Sequence, residues 1–342
     1  MKLIPALAFF SATAFAADSA PPFQGSIERL DPALDALIAA GTSIEVLATG
    51  FNWSEGPVWK DGGILFSDVP ENTVFGWKEG ETSASIVLKP SGSLDGTGGQ
   101  GSNGLALDAK GRLILCQHGE RRIARLEKDG SFTSIADRFE GKRFNSPNDL
   151  VISSKGTIFF TDPPYGLNKG KDKAEIDFHG IYAVQVEVPG SPAIALIRDI
   201  QWPNGIALSP DEKTLYIAVS DRDDTRIMAY DLPGKGKDGI AGVVQGVVIP
   251  KPVNGRELFN AQKLKSATRK GGCDGLKVDS QGNIWTTGPG GVLILDKNGK
   301  HLGSILTGQA TANCAWGGED RGTLYITADM FLLRVKTLVK GL

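Results

Sequence analysis

Residues 148–162 read NDLVISSKGTIFFTD, and this stretch contains the unit from which the fold is built. Two short apolar runs flank the segment SSKG. Apolar runs on either side of a turn with glycine are typical of an antiparallel hairpin. Asn148 and Asp162 stand at the two open ends, so one end of the predicted hairpin carries polar side chains.

The same pattern recurs along the chain. Five other stretches begin at a mostly polar position, form a short apolar run, turn at glycine or charged residues, and end in a second apolar run: EGPVWKDGGILFSD from Glu55, NGLALDAKGRLILCQH from Asn103, NGIALSPDEKTLYIAVSD from Asn204, DGLKVDSQGNIWTT from Asp274 and CAWGGEDRGTLYIT from Cys314. Successive starts lie 40 to 70 residues apart. Strand-turn-strand repeats of about this length are typical of propeller blades, which bury a core only by stacking on their neighbours.

Six hairpins predict an all-β fold, a six-bladed β-propeller with a short N-terminal helical extension. Helical periodicity is confined to residues 31–41, DPALDALIAAG, which begin at Asp-Pro and end at Gly. The widest separation between hairpins contains residues 233–255, for which we expect an extended loop or an embellished blade edge. A pair of β-sandwiches is the alternative, but sandwiches do not repeat one hairpin six times.

The first 16 residues have the pattern of a secretory signal peptide. Lys2 precedes an apolar run, and Ala14-Phe15-Ala16 supplies a small-x-small cleavage site. An apolar first helix is the alternative. We therefore divide the chain into a signal peptide at 1–16, an N-terminal extension at 17–44 and a propeller domain at 45–342. No later apolar run reaches the roughly 20 residues of a membrane span, so we expect a periplasmic or secreted protein without a membrane partner after cleavage.

Composition narrows the possible partners. The net charge is −2 and the pI is about 6.0, so the chain has no basic field for phosphate backbones and we expect no nucleic-acid partner. Three cysteines, Cys116, Cys273 and Cys314, are too few for a disulfide scaffold. We favour buried free thiols over a single bridge.

The six hairpin starts predict a site. In a propeller the first strand of each blade lines the central channel, so its first residues should meet at one channel mouth. Five of the six carry side-chain oxygens, which are the ligands that hard divalent cations prefer. Asn or Asp before Gly is also ordinary turn chemistry, and that alternative stays open for each residue taken singly. The six positions are Glu55, Asn103, Asn148, Asn204, Asp274 and Cys314.

Six phrases, in order along roughly residues 45–335, carry a family resemblance: WSEGPVW, NGLALD, SPNDLV, FTDPPYG, PNGIALSPD and DGLKVDSQGNIW. Together they resemble the gluconolactonase, senescence-marker-protein and luciferin-regenerating-enzyme family. CQHGERRI and FTDPPYGL are most similar to its bacterial secreted gluconolactonase branch. The resemblance implies a six-bladed propeller with one divalent cation at the channel mouth. Ca²⁺ is our first choice, and Zn²⁺, Mn²⁺ and Mg²⁺ are alternatives.

Residue roles follow from the same resemblance. It implies that Glu55, Asn148, Asn204 and Asp274 bind the metal, that Asp274 is also the catalytic general base, and that Asn148 lies near the substrate as well. The animal-type members carry an Arg where this chain has Ser146, so their sugar contact is missing here. Sugar recognition would then fall to other groups, and our candidates for substrate binding are Asn103, Asn148, His118 and Tyr165.

The predicted function is metal-dependent hydrolysis of a sugar lactone, such as D-glucono-1,5-lactone, to the aldonic acid. A small-molecule lactone is the expected partner. The chain contains no G-x-S-x-G motif and no H-E-x-x-H motif. Two alternatives remain: another ester or phosphotriester hydrolase on the same site, or a non-catalytic binding propeller with a structural calcium ion. For Asp162 we favour a turn-capping role over a role in the pocket or at a second cation.

Overall fold

The computed structural model describes residues 23–96, 99–167 and 172–342. The predicted signal peptide at 1–16 lies outside the described residues and stays a prediction. Six antiparallel sheets of four or five strands are arranged around a central channel. Two strands, β1 (Ser26–Arg29) and β2 (Glu45–Thr49), precede the first blade in the chain and belong to the sheets of blades 5 and 6. Short 3-10 helices lie at Pro32–Ala36, Lys237–Gly239 and Gln262–Leu264.

The first three blades follow in chain order. Blade 1 contains β3 (Ser54–Lys60), β4 (Gly63–Asp68), β5 (Thr73–Lys78) and β6 (Ser85–Leu88). Blade 2 contains β7 (Ser102–Leu107), β8 (Leu113–Gln117), β9 (Arg122–Leu126) and β10 (Phe132–Ala136). A small hairpin of β11 (Arg138–Phe139) and β12 (Lys142–Arg143) leads to blade 3. That blade contains β13 (Leu150–Ile152), β14 (Thr157–Asp162), β15 (Gly180–Gln185) and β16 (Ile194–Ile197).

The remaining blades differ from this plan in their outer strands. Blade 4 contains β17 (Pro203–Leu208), β18 (Thr214–Val219) and β19 (Arg226–Asp231), then an inserted hairpin of β20 (Ile240–Val244) and β21 (Val247–Pro250), and finally β22 (Val253–Asn260). Blade 5 contains β23 (Leu276–Val278), β24 (Ile284–Gly288), β25 (Gly291–Leu295) and β26 (His301–Leu306). Blade 6 contains β27 (Asn313–Gly317), β28 (Thr323–Ala328) and β29 (Phe331–Lys336).

The six repeated hairpins form the first two strands of the six blades, as the sequence predicts. The first strands contact one another in ring order: β3, β7, β13, β17, β23, β27 and β3 again. This closed ring confirms the six-bladed propeller. The segment 233–255 contains the inserted hairpin, so it is an embellishment of blade 4 rather than an open loop.

The hydrophobic core lies between the blades. Among the described residues, six apolar clusters each join two neighbouring blades. Between blades 2 and 3, for example, Ile114 and Ile123 pack with Ile158 and Tyr182, all fully buried. Both faces of most central strands are therefore covered, which explains their continuous apolar sequences rather than an alternating pattern.

The N-terminal strands complete two blades. β2 is the outermost strand of blade 6 and pairs with β29, with Glu45 opposite Arg334. The Arg334 guanidinium donates to Glu45 Oε2 at 3.0 and 2.8 Å. β1 pairs with β26 and adds a fifth strand to blade 5.

The helix predicted at 31–41 is wrong in length. Only the 3-10 turn Pro32–Ala36 forms, capped by the Asp31 side chain, which accepts from the Ala33 N–H at 2.9 Å. Leu34 and Ile38 are fully buried against blades 5 and 6. One tight turn is enough to bury these side chains, after which the chain continues to β2. Tertiary packing, rather than helical propensity, therefore determines the conformation of residues 31–41.

The three cysteines are free and buried, as we favoured from the sequence. Within residues 23–96, 99–167 and 172–342, the structure contains no helix long and apolar enough to cross a membrane.

Candidate functional site

A cavity of about 380 Å³ lies at one mouth of the channel, and all seven predicted site residues line it: Glu55, Asn103, His118, Asn148, Tyr165, Asn204 and Asp274. They come from five sequence-distant hairpins and the loop after β14. The rest of the lining is Trp53, Val69, Pro70, Gln100 and Ser220. The structure therefore brings the predicted residues together, while their chemical roles stay predictions.

Glycines beside the site let neighbouring blades approach closely. Gly104 N donates to Asn148 O at 2.8 Å, and Gly205 N donates to Asp274 O at 2.9 Å. A Cβ atom at Gly205 would lie 2.3 Å from Asp274 O, which is too close for any other residue. At Asn103-Gly104 and Asn204-Gly205, glycine therefore serves contact between blades rather than the left-handed turn that an Asn-Gly pair often indicates.

Three oxygens in this cavity lack hydrogen-bond partners. Asn103 Oδ1, Asn148 Oδ1 and Asp274 Oδ1 are each shielded from solvent and unpartnered. Buried polar atoms are normally satisfied, so a cluster of free lone pairs points to a ligand-binding site. Within the described part of the chain, no three His, Cys, Asp or Glu side chains are grouped to hold a metal. The donor set here combines two carboxylates with amides, all of them oxygens suited to a hard cation.

The two carboxylates are placed unfavourably without a cation. Glu55 is 1% exposed, and its Oε2 accepts from Gly56 N at 2.7 Å and Asn313 Nδ2 at 3.2 Å. Burial, followed by the negative charge of Asp149, raises the pKa of Glu55 to about 7. Burial, followed by the charges of Glu55 and Asp149, raises the pKa of Asp274 well above its usual value. A bound divalent cation would offset this repulsion.

On the blade 4 side of the cavity, Asn204 Nδ2 donates to Ser220 Oγ at 3.0 Å, which orients the amide. Tyr165 is exposed at the rim, and its ring centroid lies 5.5 Å from that of Trp202. Burial, followed by the Asp274 charge, raises the pKa of the Tyr165 hydroxyl, so this group stays a neutral donor.

His118 occupies the blade 2 side of the cavity. Its Nδ1 lies 3.0 Å from Gln100 Oε1, which can only accept, so Nδ1 carries the proton. Nε2 is then a lone-pair acceptor, and it is buried without a partner. Burial lowers the pKa of His118 to about 4, so the ring is neutral near pH 7. Gly166 packs against the ring face, where a Cβ atom would lie 2.5 Å from His118 Cγ.

Ser146 and Asp162 do not line the cavity. Their side chains join the loop before β13 to the end of β14 and the segment that follows it. Ser146 is fully buried, donates to Pro163 O at 2.5 Å and accepts from Gly166 N at 2.8 Å. Asp162 accepts from Asn145 N and Ser146 N, each at 2.8 Å, so it caps the loop before β13, whereas the favoured prediction placed its capping role in the Pro163-Pro164 turn. Burial raises the pKa of Asp162 to about 7, against the lowering effect of these two bonds.

The predicted start of the sixth hairpin, Cys314, lies two residues too late: Ala312 O accepts from Gly275 N at 2.7 Å, as Asp274 O accepts from Gly205 N one blade earlier. Asn313, not Cys314, begins β27 at the axis, and Cys314 is buried in the core between blades 5 and 6. Asn313 matches Asp149, because each side chain accepts through Oδ1 from the N–H of the next residue. The pair Ala312-Asn313 thus lies in blade 6 where blade 3 has Asn148-Asp149. Sequence reasoning also missed Asp149 and Lys277, which contact Asn313 beneath the cavity.

Known proteins resemble this chain in sequence and in fold. A gluconolactonase from Zymomonas mobilis is 36% identical over 329 residues, which cover 93% of this chain and 87% of that protein. The structure of a gluconolactonase from Xanthomonas campestris superposes with a TM-score of 0.75 at 29% identity, covering 93% of this chain and 98% of that one. Regucalcin from Agrobacterium tumefaciens, at 21% identity and a TM-score of 0.66, covers 88% of this chain and 96% of that one and shows a likeness of fold alone. The model of the SMP-30/Gluconolactonase/LRE-like region matches residues 53–329, and the chain belongs to that family.

Proposed function

We propose that this chain hydrolyses a sugar lactone, such as D-glucono-1,5-lactone, with the help of one divalent cation and after export from the cytoplasm. Family membership makes it a lactone-hydrolysing hydrolase. The observation that carries the finer proposal is the set of three unpartnered oxygens beside buried Glu55 in one cavity. A non-catalytic binding face would not require buried carboxylates at the channel axis.

The cation would be held by Glu55, Asn148, Asn204 and Asp274. Ca²⁺ is our first choice because every side-chain donor is an oxygen. The bound cation would polarise the lactone carbonyl as a Lewis acid. Asn103, the remaining amide with a free Oδ1, is left to face the substrate.

Asp274 accepts the proton of the attacking water through Oδ1, its unpartnered oxygen. The water oxygen bonds to the carbonyl carbon, the ring C–O bond breaks, and Asp274 returns its proton to the ring oxygen, which leaves the hydroxy acid and the ionised carboxylate. Burial strengthens Asp274 as a base because it raises the pKa of that carboxyl, and a cation opposes this effect.

Sugar hydroxyls are recognised by acceptors on the blade 2 side. His118 Nε2 and Asn103 Oδ1 are both unpartnered acceptors in the cavity wall. Tyr165 closes the opposite rim with its ring beside Trp202. This arrangement replaces the sugar-contacting arginine of the animal-type members, since Ser146 is committed to the loop and lies outside the cavity.

A lactone panel tests the proposal. Purified protein with CaCl₂ is expected to accelerate acid release from D-glucono-1,5-lactone above the spontaneous opening, followed with a pH indicator. Phosphotriesters and unactivated esters are run in parallel. Turnover of a phosphotriester without any lactone would favour the alternative hydrolase, and no turnover of either class would favour a binding module.

Replacing His118 is expected to change substrate preference. In His118→Phe the acceptor for a substrate hydroxyl is lost, so KM for D-glucono-1,5-lactone should rise roughly 10-fold, the worth of one hydrogen bond. KM for δ-valerolactone, which has no hydroxyls, should stay unchanged. Because burial holds the pKa of His118 to about 4, the effect should persist from pH 5 to 8. His301→Phe is the matched control, since His301 lies on the outer strand of blade 5. Equal losses on both lactones would contradict the assignment.

A further inference from the structure

A closed set of hydrogen bonds lies directly beneath the cavity, centred on the Asn313 amide. Its Nδ2 donates to Glu55 Oε2 and to Asp149 Oδ2, each at 3.2 Å. Its Oδ1 accepts from Cys314 N at 2.9 Å and from Lys277 Nζ at 3.2 Å. The residue is 1% exposed, and the amide makes two donated and two accepted bonds, which is its full capacity.

The direction of this amide is fixed by its neighbours. If the group were rotated by half a turn, the NH₂ would face the Lys277 ammonium and the Cys314 N–H, and the oxygen would face two carboxylates. All four contacts would then be repulsive. Lys277 and the Cys314 N–H together fix the Asn313 oxygen on one side, and Lys277 Nζ also lies 3.9 Å from Asp149 Oδ2 and donates to Leu276 O at 3.1 Å.

The backbone leaves room for this amide. A Cβ atom at Gly275 would lie 2.1 Å from Asn313 Cγ, so the residue after Asp274 must be glycine for Asn313 to fit. Residues 274–277 therefore have three parts in this arrangement. Asp274 supplies a carboxylate to the cavity, Gly275 leaves space for the Asn313 amide, and Lys277 supplies the positive charge that faces the amide oxygen.

The charges at the axis are consistent with one divalent ion. Besides burial, the negative charges of Glu55 and Asp149 raise the pKa of Asp274, that of Asp149 raises the pKa of Glu55, and the positive charge of Lys277 opposes the rise at Glu55. The net charge of this group is −2 when all four are ionised. A single divalent cation neutralises it, and Lys277 already pairs with the carboxylate that does not line the cavity.

We infer that Asn313 is a positioning residue for the cation site: its amide donates to the Glu55 carboxylate, and Lys277 and the Cys314 N–H fix the direction of that amide. This inference rests on the proposed function, because it assigns Glu55 to the cation. Outer hydrogen bonds of this kind orient a ligand and typically change metal affinity or activity by about 10- to 100-fold.

The substitution Asn313→Asp tests this role. It is nearly isosteric and keeps an oxygen for Cys314 N and Lys277, but it replaces the donor that faces Glu55 with a second acceptor. Ca²⁺ affinity, measured by calorimetric titration of the metal-free protein with CaCl₂ alone at pH 8, is expected to fall about 10- to 100-fold. If net charge alone governed the site, the added carboxylate would instead tighten Ca²⁺ binding, and that result would overturn the inference.

A matched control separates positioning from stability. Asn283 also donates from its amide to a carboxylate, Asp279 Oδ2 at 2.8 Å, but at the far end of the blade 5 hairpin. Asn283→Asp should lower the free energy of unfolding in urea and leave Ca²⁺ affinity unchanged. Should Asn313→Asp fail to fold by circular dichroism, the smaller, uncharged Asn313→Ser gives the same comparison, again with at least about 10-fold weaker binding expected.

The two possible failures are distinguishable. Wild-type protein that binds none of Ca²⁺, Zn²⁺ and Mn²⁺ would overturn the proposed cation site, and the positioning role with it. Wild-type protein that binds Ca²⁺ as tightly as a folded Asn313→Asp variant would overturn the positioning role alone.

Discussion

Asp274→Asn is expected to lower the rate of lactone hydrolysis at least about 1,000-fold, because one substitution removes both a cation ligand and the proposed general base. The amide keeps the volume of the carboxyl and the Asn204 contact, so the fold should be retained. Initial rates on D-glucono-1,5-lactone, corrected for spontaneous opening, measure the loss. Near-normal turnover would remove Asp274 from the mechanism.

The same variant should also show that the ionised Asp274 carboxylate destabilises the metal-free protein. Burial and the neighbouring Glu55 charge raise the pKa of Asp274, so the ionised form costs stability at high pH. A neutral amide relieves this cost, and metal-free Asp274→Asn should be at least as stable as metal-free wild type at pH 8. Asp279→Asn is the control: Asp279 is a buried turn carboxylate that accepts from Trp285 Nε1 at 3.0 Å, so its loss should reduce stability but not activity.

Removing the cation is the second large effect. After treatment with a chelator and desalting, hydrolysis should fall to the spontaneous rate and return when Ca²⁺ is added. The unpartnered oxygens of Asn148 and Asp274 would then lack the cation, and the free energy of unfolding should fall. At a Ca²⁺ concentration 100 times the Kd, the expected difference is about 2.7 kcal/mol.

Restoring Zn²⁺ or Mn²⁺ in place of Ca²⁺ ranks the ions at an all-oxygen site, where Ca²⁺ should stabilise the fold at the lowest free concentration. The urea midpoint reports binding, and the initial rate reports chemistry, so the two can be compared for each ion. Full activity in excess chelator, with no change in the urea midpoint, would contradict the cation site.

Most of the fold was predictable from sequence because the hairpin repeat is local. Each blade begins with two strands joined by a short turn, and six copies of one pattern identify the architecture without any long-range information. What was not predictable depended on distant partners. The helix at 31–41 shortens because Leu34 and Ile38 find their contacts in blades 5 and 6. The sequence of Ser26–Arg29 alone does not indicate that this segment forms the fifth strand of blade 5.

The cavity lining was predictable for the same reason, since the first residues of the inner strands converge. The residues beneath the cavity, Asp149, Lys277 and Asn313, were not predictable in this way. Asp149 looks like the second half of an Asn-Asp turn, and Lys277 looks like a surface residue of a strand. Their meeting at Asn313 joins three blades, which no pattern within one hairpin encodes. Aligning the sixth hairpin on Cys314 concealed Asn313.

The pairing of β2 with β29 has a consequence for the order in which the chain folds. Glu45 and Arg334 are separated by 289 positions. The outermost strand of blade 6 therefore cannot pair until nearly the whole polypeptide has been synthesised. Contacts of such long sequence separation form late, because the loop between them must first be closed. The ring of blades therefore cannot close until β29 has been synthesised and can pair with β2.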